Sequence, residues 1–161
     1  MAKKTNAMDA LAGITKSLED VYDGDAWHGP TVKKVLLGIP ASQANAHIGT
    51  GHSIIELVLH MAAWKDFATH KLRGDIAFDI TEEMNFPKGK NWAGALETLD
   101  NSQQGLLSAL ASFDGQKLES TVPHRKYSFY KLLHGVAHHD LYHLGQIVMI
   151  ARRFQAPPNN Q

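Results

Sequence analysis

The chain of 161 residues is one domain long, balances sixteen basic against sixteen acidic residues and contains no cysteine, so disulfides, thiolate metal sites and a cysteine nucleophile are excluded. A chain without net charge has no overall field to draw the phosphates of nucleic acid or an anionic membrane surface, and neither is expected as a partner. Met1 to Asn6 lead into no long apolar stretch, and no window approaches the roughly 18 apolar residues of a spanning helix, so a cytoplasmic location is expected.

Met8 to Tyr22 carries apolar residues at helical spacings, which predicts a first helix with Gly24 suited to stop it. Pro30 suits the opening of a shorter helix over Thr31 to Leu37, and Ile39 to Gly51 reads as a loop. His52 to Arg73 is a second long helical pattern, closed by Gly74 and followed by a loop from Asp75 to Lys90. Trp92 to Phe113 predicts a third helix, with Asn91 as N-cap and Gly115 as stop, and Gln116 to Tyr127 a further loop. Ser128 to Phe154 is the fourth, with Ser128 placed to cap it, and nothing alternates long enough to make a strand. With no repeat and no dividing linker, residues 1–161 are expected to form a single all-α domain. Four long helices, a short extra helix and long loops predict a four-helix bundle, where metal sites are built from inward side chains of facing helices.

Ten histidines are the unusual feature of the composition, since imidazole is the commonest neutral metal ligand. In the last helix His134 with His138 and His139 with His143 are both spaced i, i+4, so spacing alone offers two chelating pairs. Helical phase separates them. At about 100° per residue, Phe129, Leu132, Leu133, Val136, Leu144, Ile147, Ile150, Ala151 and Phe154 form one stripe, with His143 inside it and His139 at its edge. His134 and His138 point the other way with Lys131, Arg152 and Arg153, and read as solvated surface. Two imidazoles on one helix cover one side of an ion, so a third ligand must come from another element. His60, in an apolar run with Leu57, Trp64 and Phe67 nearby on the same face, is the candidate. An imidazole buried there without a partner would cost about 1–3 kcal/mol.

Three neutral imidazoles leave coordination positions open, the arrangement of a catalytic metal site. His139 to His143 has the HxxxH spacing of zinc peptidases, with Asp140 where their general base stands. Asp140 falls in the apolar stripe, which leaves two roles open: general base, or a buried carboxylate that orients a ligand. Glu56, one turn before His60, could orient a ligand or approach the ion, although a Glu near a helix start is commonly surface charge. His52 and His70 lie toward the ends of their helix and read as rim or surface. A ferritin-like carboxylate site is rejected, because it needs paired Glu-x-x-His motifs and Glu56 and His60 are four apart.

The segment from Gly51 to Trp64, with Glu56 and His60, and the distant segment from Leu133 to Ile147, with His139 and His143, together resemble the DinB-like superfamily of damage-inducible and metal-dependent proteins, which includes the YfiT-like proteins. Gly24 to Pro30 has the look of the same group, so the resemblance covers roughly residues 24 to 152. It implies a bundle with up-down-down-up connections, a metal bound by a histidine of the second helix and two of the last, and a homodimer. Those ligands fall on His60, His139 and His143, with zinc or nickel as the expected ion. Relatives include thiol-dependent S-transferases, which implies a small-molecule substrate and a low-molecular-weight thiol cofactor. A metal-dependent transferase or hydrolase is the first expectation. A stress-associated metal-binding or structural protein without turnover is the alternative.

Overall fold

A computed structural model describes residues 7–89 and 91–154. Residues 1–6, read above for a targeting signal, and Lys90, at the end of the second long loop, lie outside the described residues. The chain is all-α, in the order α1 (Ala7–Tyr22), α2 (Val32–Leu37), α3 (Ile54–Leu72), α4 (Glu82–Asn85), α5 (Trp92–Ala111) and α6 (Phe129–Phe154). Four of these are long, as the spacing of apolar residues predicts. Among the described residues the only strand-like pairing is an isolated bridge between Thr121 and Ser128, at the base of the turn that leads into α6.

The central element is α3, which packs on both α5 and α6. Its start is fixed by a capping box, with the Ser53 side chain accepting from the Glu56 N–H while the Glu56 carboxylate accepts from the Ser53 N–H at 2.8 Å. At its end Asp75 N–H donates to the His70 carbonyl and Gly74 N–H to that of Lys71, with Gly74 at φ +83°. That closure requires a left-handed residue, which glycine adopts without a Cβ penalty. Ser128 accepts from the Lys131 N–H and so acts at the start of α6, whereas Asn91 stands at the start of α5 without a side-chain capping bond.

The apolar core is split in two. One cluster gathers Val32, Ile54, Val58, Met61, Leu99 and Ile147, and the other Leu18, Phe67, Leu106, Leu110, Leu133 and Val136. On α3, α5 and α6 the stretch between the two clusters carries buried polar residues: Lys65, Gln103, Asp140 and His143. This polar layer holds the candidate site.

Three expectations are corrected. Phe154 is 50% exposed, because the last turn of α6 runs past the core. Glu56 is buried and bound to Ser53 and Lys88 rather than being free surface charge. The stretches taken as loops contain short helices: a 3-10 turn at Ala41–Gln43, another at Gly115–Lys117, and α4. The last forms because the Thr81 side chain accepts from the Met84 N–H, and Glu82 and Glu83 complement the amino end of the helix.

Candidate metal centre

His60 comes from the middle of α3, and His139 and His143 from successive turns of α6, where the i, i+4 spacing sets both imidazoles on the face turned toward α3. Nε2 of His139 lies 2.9 Å from Nε2 of His60 and 3.0 Å from Nε2 of His143. His60 and His143 are buried and His139 is half-buried. The three ligand nitrogens lie within 4.8 Å of one another, and the other ring nitrogens show what they offer there. Nδ1–H of His60 donates to the backbone carbonyl of Asn85, and Nδ1–H of His143 donates to Oε1 of Gln146 at 2.7 Å. A neutral imidazole has one N–H, so in both rings Nε2 is a bare lone pair aimed at the same place as His139. A single proton on His139 Nε2 can point at only one of the two.

A cation settles lone pairs that a proton cannot. Metal–nitrogen bonds of about 2.0–2.1 Å bring two ligand nitrogens to roughly 3 Å from each other, which the observed separations match. The Nδ1–H to carbonyl arrangement is also how metal-ligating histidines are held in the right tautomer. Among the described residues His60, His139 and His143 are the group of acidic or imidazole side chains that can hold a metal ion.

Burial disfavours the protonated form of all three rings. Burial lowers the proton affinity of His60, with His143 and His52 adding to the effect and the Asn85 carbonyl opposing it. Burial, then the nearby His143, His60 and Lys65, push His139 down to about 3. Burial also lowers His143, against the opposing bond to Gln146. Neutral imidazole is the form in which a histidine can ligate a metal.

The end of α4 and Phe86, the residue after it, contribute to the walls. Phe86 stacks on His60 with ring centroids 4.0 Å apart and on His52 with centroids 3.6 Å apart, so its ring lies between two imidazoles. Asn85 accepts from the Trp64 indole N–H at 3.0 Å through its side chain while its carbonyl holds His60. A cavity of about 530 Å³ opens beside His60 and His139, and a second of about 740 Å³ beside His143, with Phe86 lining both.

Asp140 is fully buried and forms an ion pair with Lys65, itself fully buried, and Lys65 also donates to Oε1 of Gln103 at 2.8 Å. Burial pushes the Asp140 carboxyl up and the Lys65 ammonium opposes it. Its other oxygen, Oδ1, and Nδ1 of His139 are buried without a hydrogen-bond partner among the described residues. The sequence leaves base and orienting roles open for Asp140; the structure sets its carboxylate against Lys65. Glu56 serves the start of α3, where burial raises its carboxyl but Lys88 and Ser53 outweigh that and hold it down at about 2. His134 and His138 take no part in the cluster; their rings stand 6.1 Å apart beside Tyr130, and His138 is exposed. His70 bonds Asp75 at 2.9 Å, away from the site.

Asn85, Phe86, Gln146 and Lys65 were missed. The first two sit in a segment whose one legible signal was Thr81-Glu82-Glu83, a helix start. Gln146 could have been found as the residue one turn beyond His143 with an amide to accept its N–H.

A family model described as the DinB superfamily matches residues 27–147. No curated protein and no solved structure matches the chain.

Proposed function

The chain belongs to the DinB superfamily, and we propose that it binds one divalent metal ion through His60, His139 and His143 and uses it to process a small molecule. The observation that carries this reading is the pair of fixed tautomers: Asn85 and Gln146 take the Nδ1–H of His60 and His143, turning two lone pairs toward the third ring. When bound, the ion supplies Lewis acidity for activating a water or a thiol nucleophile. The chain's own part is to hold three neutral nitrogens, to keep His60 in place between Phe86 and α6, and to line the approach with apolar side chains. Zinc and nickel both suit three nitrogen donors. The reaction is of the thiol S-transferase or hydrolase type.

Elemental analysis of the purified protein and its variants tests the site. His60→Ala, His139→Ala and His143→Ala each lose the metal, while His134→Ala and His138→Ala keep it. Metal retained by the His143 variant would sink the assignment. Activity is tested on a panel of electrophiles, with several cellular thiols and with water alone. Turnover that needs a thiol marks a transferase, turnover in water a hydrolase, and none at all a metal-binding protein without catalysis.

We also propose that the protein is a homodimer. Support comes from apolar side chains left exposed on α6, Tyr142 at 65% and Met149 at 63%, the kind of surface a partner covers. Light scattering should return twice the chain mass of 17.7 kDa; a single-chain mass at micromolar concentration would contradict it.

A further inference from the structure

Two glycines interrupt α6, and each stands at one of the cavities that flank the histidines. Gly135 lines the cavity beside His60 and His139, and Gly145 lines the one beside His143. Neither has a left-handed backbone, so neither is needed for conformation. A glycine inside a helix costs roughly 0.5–1 kcal/mol relative to alanine, and a Cβ placed on either would meet nothing within 4 Å. Both positions leave open space where a side chain would fit.

The Gly135 cavity has a definite chemistry. Trp64, Phe86 and Tyr127 supply rings and Leu132 and Val136 supply aliphatic walls. The indole N–H of Trp64 is committed to Asn85, so Trp64 has no free donor to offer a ligand there. His60 and His139 reach the same space with their rings. Lys131 is the one lysine among its lining residues, which include no arginine and no carboxylate, and no described carboxylate pairs with it. At about 530 Å³ the space falls within the roughly 300–1,000 Å³ of cavities that enclose small ligands.

We propose that this cavity is the substrate chamber and that it takes a small molecule with a flat apolar body and an anionic end, Gly135 setting the length it admits and Lys131 meeting its charge. The inference rests on the reading of His60, His139 and His143 as the metal site. Flat rings suit a wall of aromatic faces, which bind apolar rings by offset or edge contact. The cation at Lys131 is exposed, so it selects among ligands of one shape more than it adds affinity.

The test uses two fluorescent probes of the same body, the anion anilinonaphthalene sulfonate and the uncharged N-phenylnaphthylamine, titrated into the full chain. Both bind the wild-type protein, the sulfonate more tightly. Gly135→Leu weakens both by about tenfold or more because its side chain fills the chamber, with Gly135→Met as the more flexible substitute should the leucine variant not fold by circular dichroism. Lys131→Gln weakens the sulfonate alone, by about twofold to fivefold. Gly145→Leu, in the other cavity, changes neither. A folded Gly135 variant that binds both probes normally, or a Gly145 variant that loses them, overturns the chamber. A wild-type preference for the uncharged probe overturns the anionic end. Metal content is measured on the same samples: probe bound by protein that carries no metal would fail the metal reading and not the chamber, and metal held by protein that binds neither probe would do the reverse.

Discussion

His60 and Lys65 stand five residues apart on α3, and each meets α6 through a buried polar contact. The Lys65 contact is closed: its ammonium is paired with Asp140 and donates to Gln103, and Gln103 in turn donates to the Leu18 carbonyl at 3.2 Å. Its charge is matched within the chain, although Oδ1 of Asp140 has no partner among the described residues. The His60 contact is open, because three ring nitrogens converge and two of them have no proton to give. Both sets contain buried polar residues of α3 and α6, so burial alone does not separate structure from function. What separates them is whether the chain supplies the positive charge itself.

The largest expected effect follows from breaking the closed set. Asp140→Ala leaves Lys65 buried and unpaired, which costs about 3–5 kcal/mol of stability, read as a lower urea midpoint. Replacing both partners together, Lys65→Met with Asp140→Leu, recovers most of that loss because no charge is left stranded. His143→Ala in metal-free protein should cost far less, since it removes an open acceptor rather than the partner of a charge. Equal losses in Asp140→Ala and His143→Ala would erase the distinction.

Acid sharpens the same contrast. An unfolded histidine takes its proton near pH 6.5, but the fold holds His60, His139 and His143 below their ordinary values, His139 at about 3. Above the unfolded value all are neutral in both states and the fold loses nothing. As the pH falls below it, the unfolded chain gains protons that the folded chain refuses, so stability drops with a slope of about 1.4 kcal/mol per pH unit for each such proton. For His139 the drop continues until the pH nears 3. Thermal melts with a chelator present, from neutrality down to about pH 4, should show this slope, and His139→Leu should reduce it by about one proton. An unchanged slope in that variant would show that His139 is not held neutral by the fold.

Much of this contrast is legible in the sequence alone. Helical phase selects His60, His139 and His143 over His134 and His138 because a histidine on an apolar stripe is conspicuous, and the structure brings those three together. Asp140 was legible as buried for the same reason. Its partner was not: a lysine in a helix is ordinarily exposed, and nothing local tells that Lys65 faces α5 and α6. Asn85 and Phe86 were hidden differently. Their side chains reach the site only because α4 folds against α3 across 21 residues or more of chain, a long-range fact that periodicity does not encode. The four long helices follow from apolar spacing, while the short helices in the connections depend on single capping side chains such as Thr81.

The smallest expected effect concerns Gln146, whose side chain accepts a hydrogen bond from His143, whereas His60 donates to a backbone carbonyl. Gln146 lies three residues beyond His143 on the same helix, so its amide folds back over the ring and accepts the Nδ1–H at 2.7 Å. Removing such an acceptor weakens metal binding by roughly 10–100-fold, because the ring loses both its fixed tautomer and some of its basicity. Gln146 is exposed, and water can take over part of the acceptor role, so Gln146→Leu should fall at the low end, about tenfold. Gln146→Glu keeps an acceptor and adds charge, and should bind metal at least as well as the parent. Competition titration against a chelator measures both variants, while the urea midpoint of the metal-free protein stays near that of the parent. Wild-type affinity in Gln146→Leu would mean that the orientation of His143 is set by α6 packing and not by this bond, and the case for two preset lone pairs would be reduced to the one on His60.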